Sequence, residues 1–125
     1  MLDHAASYDA LYRNFRWTIP ARFNIAEACC ETWRRHEADR IALLHILADG
    51  NVQDWTYSQL SIASNKLANY FHSTGCAPGD RIGILLPQAP ETLIAHLATY
   101  KAGLIAVPLA LLFGADDLYY RLRDG

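Results

Sequence analysis

The stretch Gly79–Leu109, GDRIGILLPQAPETLIAHLATYKAGLIAVPL, decides the predicted fold because two apolar runs flank a helical pattern within it. The first run, residues 82–86, is too short for a helix and contains no polar side chain. Such a run is typical of a strand covered on both faces in a parallel sheet. Pro87 lacks the N–H group that a further ladder bond would need, so strand pairing is expected to end there.

A helix is predicted between the two apolar runs, at residues 90–102. Pro90 suits the first helical turn, where a missing N–H group has no cost, and Gly103 suits the helix end. The side chains expected to face the sheet recur at helical spacing and are Ile94, Leu97 and Ala98. The second run, residues 104–107, reads as another buried strand. Strand, helix and strand then form one right-handed βαβ crossover.

An antiparallel hairpin and a long helix are predicted upstream of this unit. The run Ile41–Ala48 reads as a strand, Asp49-Gly50 is a two-residue turn signal, and residues 52–55 return beside the strand. Thr56 and Gln59 match the two positions of a capping box, which marks the start of a helix. Helical spacing predicts that the apolar face of this helix contains Leu60, Ala63, Ser64, Leu67 and Phe71.

The two ends of the chain complete the predicted architecture. Residues 1–22 read as an N-terminal arm, and residues 23–125 read as one α/β subdomain. Asn24 is expected to cap a helix that runs to Glu37 and has on its packed side Ile25, Ala28, Cys29 and Thr32. A last helix is expected from about Ala115 to Gly125. The predicted fold class is α/β: a partial three-layer, Rossmann-like subdomain with parallel strands and flanking helices, plus an N-terminal β-hairpin.

Composition and charge exclude several classes of protein. The chain has 125 residues, 52% of them hydrophobic, and a formal net charge of −2, which fits one globular domain rather than a disordered chain. Arginine and lysine are few and scattered, so no nucleic-acid partner is predicted. No apolar run reaches the roughly 18–20 residues of a transmembrane helix. Asp3 precedes every apolar segment, which argues against a signal peptide and favours a cytoplasmic location.

The cysteines and histidines predict no reactive site and no metal site. An odd number of cysteines without a C-x-x-C motif suits reduced thiols in a cytosol, and we interpret them as buried structural thiols: Cys29, Cys30 and Cys76. The five histidines combine with no Cys or Asp at a zinc spacing. We interpret His45, inside an apolar strand, as a core histidine with satisfied hydrogen bonds.

Ligands of open parallel sheets bind beyond the carboxyl ends of the strands. The first end, residues 87–91, is a poor phosphate site because it has no glycine and places Glu91 at the helix start. At the second end, the Phe113 ring would stack on a base and Gly114 would admit a ligand to the backbone. The alternative is that Phe113 belongs to the core and Gly114 only turns the chain. No P-loop, G-x-G-x-x-G or G-x-S-x-G motif occurs, so no catalytic residue is predicted.

Three segments together resemble the N-terminal region of the adenylate-forming acyl-CoA synthetases, a superfamily that also holds luciferases and peptide-synthetase adenylation domains. They are WTYSQLSIASNKLANYF, GDRIGILLPQAPETLIAHLATYKAGLIAVPL and LFGADDLYYRLRDG. The ordered series T-Y-x-x-L, S-N-x-L-A, G-D-R-I, L-P-Q-x-P-E, Y-K-x-G and V-P-L is specific as a set. The resemblance covers residues 23–125, and the FNIAEAC and LFG segments are most similar to short-chain, medium-chain and aromatic acyl-CoA synthetases.

This resemblance implies a ligase that converts a carboxylic acid and ATP into an acyl-adenylate and then transfers the acyl group to CoA. ATP, Mg²⁺ and CoA are the cofactors it implies for a full-length enzyme. The phosphate loop, the adenine and ribose contacts and the mobile lysine of that family lie downstream of the matched segments. Residues 1–125 are therefore expected to be a truncated first subdomain that binds no cofactor and is inactive alone. Its expected partners are the rest of its own N-terminal domain and a C-terminal domain, and exposed apolar surface is expected to favour self-association.

The resemblance also implies one site. In acetyl-CoA synthetase-like members an F-G segment after the corresponding strand lies near the CoA nucleotide, which implies such a contact at Phe113 and Gly114. Ala115 stands where those relatives have a second glycine. Two other functions stay open, a stand-alone α/β binding or interaction module without catalysis and an adenylating enzyme that does not use CoA.

Overall fold

The structure, a computed structural model, describes residues 4–124. Its strands are β1 (Ile41–Ile46), β2 (Val52–Thr56), β3 (Arg81–Ile84) and β4 (Ile105–Pro108). Its helices are α1 (Tyr8–Asn14), α2 (Thr32–His36), α3 (Tyr57–Ser73), α4 (Pro90–Lys101) and α5 (Ala115–Asp124), and a π-helical turn (Glu27–Glu31) leads into α2. No helix within residues 4–124 combines the length and apolar character that crossing a bilayer requires.

The strands form the two predicted pairs. β1 and β2 are antiparallel and are joined through a turn in which Gly50 has a φ of 85°. β3 and β4 are parallel, from Arg81 opposite Ile105 to Ile84 opposite Pro108. Because α4 connects β3 to β4, the predicted strand–helix–strand unit and the α/β fold class are confirmed.

The strand ends differ from the prediction. β3 ends at Ile84, whose carbonyl accepts the N–H of Leu109 at 2.9 Å. Donors from β4 alternate along the strand, with the Ile105 N–H bonding to Asp80 and the Leu109 N–H to Ile84, so Pro108 is not a donor position and pairing ends after the Leu109 bond. Leu85 and Leu86, predicted to lie in a strand covered on both faces, are therefore outside it and are 40% and 39% exposed.

Helix α4 buries its apolar side against other helices. Leu97 belongs to a buried cluster with Ala26, Cys30 and Leu60, and Ile94 packs against that cluster. The prediction that the α4 stripe faces the sheet is wrong for Ile94 and Leu97, whereas Ala98 is fully buried outside this cluster. Two four-residue strands offer little apolar surface, whereas the neighbouring α3 is 17 residues long and covers more of α4.

The local signals that start the two longest helices are confirmed. The Gln59 N–H donates to Thr56 Oγ1 at 3.2 Å, and the Thr56 N–H donates to Gln59 Oε1 at 2.8 Å, which completes the capping box. Leu60 and Ser64 on the predicted apolar face of α3 are buried. Pro90 is the first residue of α4.

The π-helical turn rotates the buried side of the first packed helix. The Thr32 N–H bonds to the Glu27 carbonyl five residues back, so one extra residue enters the turn. Cys30 is buried at 2% exposure and Cys29 is exposed. The prediction of three buried thiols therefore holds for Cys30, is wrong for Cys29, and is only partly met by Cys76, which is half-buried.

The remaining features of the fold are the N-terminal cap of this helix and the packing of α5 against β3. Asn24 Oδ1 accepts the N–H of Ala26 at 2.9 Å, which confirms the predicted cap. Helix α5 begins at Ala115 as predicted, and its predicted end at Gly125 lies outside the described residues. A Cβ atom added to Gly83 of β3 would lie 3.0 Å from Leu122, so α5 rests directly on this strand.

Candidate functional site

The predicted ligand-contacting segment lies between β4 and α5. The Phe113 N–H donates to the Ala110 carbonyl at 3.1 Å and closes a turn, and the Leu118 N–H donates to the Gly114 carbonyl at 3.0 Å in the first turn of α5. Ala110 in the turn and Leu118 in α5 thereby hold the backbone of Phe113 and Gly114 in place. The segment sits at the carboxyl end of β4, where ligands of parallel sheets bind.

Phe113 and Gly114 present different surfaces. The Phe113 ring is half-buried, and the Arg121 guanidinium lies over it, 4.2 Å from the ring centroid. Gly114 is exposed, and no atom lies within 4 Å of the position a Cβ would occupy. Its φ is not in the left-handed region, so the turn itself does not require glycine. Open space at Gly114 favours the ligand interpretation, and contact with a nucleotide stays a prediction.

A cavity of about 560 Å³ lies between β1 and the start of α4. His45 and His96 line it together with the apolar side chains of Leu43 and Leu93. The Nδ1 atom of His45 is buried and has no hydrogen-bond partner among residues 4–124, so the interpretation of a satisfied core histidine is wrong. Its neighbours in the cavity wall are mainly apolar and leave this nitrogen without a donor or acceptor.

A polar cluster ties α2, α3 and α4 together. The Glu31 carboxylate accepts hydrogen bonds from Lys101 Nζ, Ser61 Oγ and, at 2.8 Å, Arg34 Nε. Lys101 Nζ also donates to Asn65 Oδ1 at 2.8 Å and to the Ser61 carbonyl at 3.2 Å. The side chains of Lys101 and Glu31 are only 11% and 14% exposed.

The protonation of Glu31 shows what this cluster can do. Burial by itself raises the pKa of the Glu31 carboxyl, but the hydrogen bonds from Lys101, Ser61 and Arg34 outweigh burial and lower the pKa to about 2. A carboxylate with so low a pKa is a poor general base or acid near neutral pH. The cluster is therefore an anchor between helices and not a proton-transfer centre.

Sequence reasoning missed this anchor because its members are far apart in the chain. Glu31 and Lys101 lie on different helices, and Ser61 reads only as one more helical residue. The one feature of the sequence that could have indicated the anchor is Lys101, the lysine of the Y-K-x-G segment, at the end of the largely apolar helix α4. Within residues 4–124, no group of three or more histidine, cysteine, aspartate or glutamate side chains is placed to hold a metal ion.

Comparison with known proteins gives a family. The family model described as AMP-binding enzyme matches residues 30–125. Acyl-coenzyme A synthetase ACSM3, mitochondrial, from Mus musculus is 27% identical over 125 residues, which cover 95% of this chain and 22% of the relative. Acetyl-coenzyme A synthetase from Magnetococcus marinus is 29% identical over 126 residues, which cover 98% of this chain and 19% of the relative.

A solved structure agrees with these matches. Acetoacetyl-CoA synthetase from Streptomyces lividans superimposes with a TM-score of 0.75 at 29% identity, over 80% of this chain and 15% of that chain. The chain spans about a fifth of the length of the curated relatives it matches.

Proposed function

Because the chain belongs to the AMP-binding enzyme family, we propose that it supplies the first α/β layer of an ATP-dependent acid–CoA ligase. The observation that carries this proposal is the family match over residues 30–125, which includes the capped helix α3, the β3–α4–β4 unit and the segment before α5. The relatives named as acyl-CoA and acetyl-CoA synthetases support CoA as the acceptor. The proposed reaction forms an acyl-adenylate from a carboxylic acid and ATP and then transfers the acyl group to the CoA thiol.

The proposed contribution of residues 1–125 is structural support for that reaction rather than its chemistry. The Glu31–Lys101 anchor fixes α4, and α4 connects the two parallel strands that lead to Phe113. ATP and Mg²⁺ would then be held by parts of the enzyme outside the matched fifth. We expect isolated residues 1–125 to give only background ATP–pyrophosphate exchange. Turnover by this chain would contradict the proposal that its role is structural support.

A chimera tests the proposal in an active setting. Residues 30–125 would replace the matched region of the Magnetococcus marinus acetyl-CoA synthetase, and circular dichroism would establish that the chimera folds. We expect the folded chimera to form acetyl-CoA from acetate, ATP and CoA. A folded chimera without ligation activity would favour the alternative of an α/β binding module without catalysis.

The proposed nucleotide contact has its own test in the same chimera. Phe113→Ala should raise the KM for CoA and leave the KM for ATP unchanged, because the ring is proposed to stack only on the CoA nucleotide. Tyr119→Ala is the matched control, since Tyr119 is an aromatic residue of α5 that is 65% exposed. Equal effects of the two substitutions on the KM for CoA would contradict a contact at Phe113 and Gly114.

Location and assembly are also proposals. Free cysteines suit the reducing cytoplasm, while the Mus musculus relative is named mitochondrial, and cell fractionation distinguishes the two compartments. Large apolar side chains at the surface, such as Leu112 at 97% and Ile46 at 70% exposure, support self-association of the isolated chain. Sedimentation velocity over a range of concentrations measures it directly.

A further inference from the structure

Another cavity lies beside the predicted site and is lined by arginines. Its volume is about 450 Å³, and it lies between β3, β4 and the end of α5. Arg81 contributes from β3, and Arg121 and Arg123 contribute from α5. Asp124 is the acidic residue of this lining, which therefore carries a net charge of +2 from three guanidinium groups and one carboxylate.

These three arginines differ from the arginines elsewhere in the fold. The ion pairs closer than 4.0 Å among residues 4–124 engage other cations, namely Arg34, Arg35, Arg40 and Lys101. Within the same residues, Arg81, Arg121 and Arg123 have no carboxylate at that distance and donate no side-chain hydrogen bond. Three like charges around one cavity repel each other, and a bound anion would remove that repulsion.

The chemistry of the lining selects the kind of anion. Guanidinium groups are planar forks of N–H donors that match phosphate oxygens, and several of them around one cavity suit a doubly or triply charged group. Gly83 forms part of the wall and presents no side chain to the ligand. Arg121 also lies over the Phe113 ring, so an aromatic surface adjoins the cavity.

We propose that the cavity formed by Arg81, Arg121 and Arg123 binds the phosphoryl groups of a small molecule, either a free diphosphate or a nucleotide phosphate. A nucleic acid is disfavoured, because the chain has a formal net charge of −2 and its arginines and lysines are few and scattered along the sequence. The proposal does not depend on the ligation reaction, since binding is measured without turnover.

Calorimetric titration of the 125-residue chain at low ionic strength tests the proposal, with sodium pyrophosphate and adenosine 3′,5′-bisphosphate as probes. We expect saturable one-to-one binding that Arg121→Gln and Arg81→Gln each weaken at least about tenfold. Arg13→Gln is the matched control, because it removes one exposed positive charge from α1 and should leave the affinity unchanged. Asp124→Asn should strengthen binding, since it removes the opposing carboxylate. Circular dichroism establishes that each variant stays folded.

The outcomes distinguish a free diphosphate from a nucleotide phosphate and show which results would contradict the proposal. Equal affinity for both probes assigns the cavity to a free diphosphate, whereas tighter binding of the nucleotide that Phe113→Leu abolishes assigns it to a nucleotide phosphate. Arginine side-chain NMR should place the largest shifts on Arg81, Arg121 and Arg123. Absence of saturable binding, or equal weakening by Arg13→Gln, would overturn the proposal, because only diffuse attraction to positive charge would remain.

Discussion

Charged side chains are arranged in opposite ways at two places in this molecule. At the helix anchor, Glu31 and Lys101 are nearly buried and every charge has close partners. At the cavity beside α5, the guanidinium groups of Arg81 and Arg121 are exposed and have no carboxylate within 4.0 Å among residues 4–124. Charges that are paired and hydrogen-bonded inside the fold hold it together, whereas unpaired charges at the surface add little stability and are available to a ligand.

The largest expected effect breaks the anchor. Glu31→Gln should lower the free energy of unfolding by about 3 kcal/mol, because it leaves the buried Lys101 ammonium without its carboxylate. Urea denaturation measures the change. Glu37→Gln is the matched control: Glu37 pairs with Arg40 at 3.3 Å on the surface, and its loss should cost less than about 0.5 kcal/mol. Equal losses in the two variants would contradict a special role for the anchor.

The next effect is a pH dependence confined to the anchor. The pKa of Glu31 falls from 4.5 to about 2 on folding, so the folded chain binds fewer protons there than the unfolded chain. Its stabilisation is complete above about pH 4.5 and is lost as the pH falls towards 2, by roughly 3 kcal/mol. Chemical denaturation of the wild type between pH 2 and 7 measures this loss. The same series on Glu31→Gln should lack this part of the slope, and an unchanged slope would contradict the pairing.

A smaller effect is expected at Arg121, which lines the arginine cavity and also stacks on the Phe113 ring. Arg121 has no carboxylate within 4.0 Å among the described residues but does cover the Phe113 ring, so Arg121→Gln should lower stability by about 0.5–1 kcal/mol. Thermal unfolding of Arg121→Gln, Phe113→Leu and the double variant measures the coupling between the two side chains. Strict additivity of the two single losses would show that the stacking contributes nothing.

The smallest effect is expected inside the arginine cavity. Arg81→Gln should change the free energy of unfolding by less than about 0.5 kcal/mol, because the guanidinium has no ion-pair partner in the described part of the chain. Urea denaturation at low and high salt measures the change. A loss above about 1 kcal/mol would mean that Arg81 supports the fold, and the contrast with Glu31 would disappear.

Features set by neighbouring residues could be predicted from the sequence. Thr56 and Gln59 meet across three residues, and Pro90 needs only its own ring to favour a helix start, so both helix starts were predicted. The parallel pairing also followed, because short apolar runs on either side of a helix leave few other topologies. The position of Phe113 and Gly114 beyond β4 followed from the same topology.

Features that depend on distant residues could not be predicted. Glu31 pairs with Lys101 from 70 positions away, and Arg81 and Arg121 line one cavity from 40 positions apart. Apart from the place of Lys101 at the end of a largely apolar helix, nothing local distinguishes these residues from solvated surface charges. The end of β3 at Ile84 was missed for a related reason, because it depends on where pairing with the separate strand β4 ends, at the bond from Leu109.

The π-helical turn gives this protein a pair of neighbouring thiols with separate chemical fates. Cys29 faces solvent, while Cys30 lies in the core, where burial raises the pKa of its thiol. A maleimide should therefore label the first within the native ensemble and reach the second only when the helix detaches from α3 and α4. The delay between alkylation of Cys29 and alkylation of Cys30 would therefore measure how often the core opens, because only the second reaction requires opening.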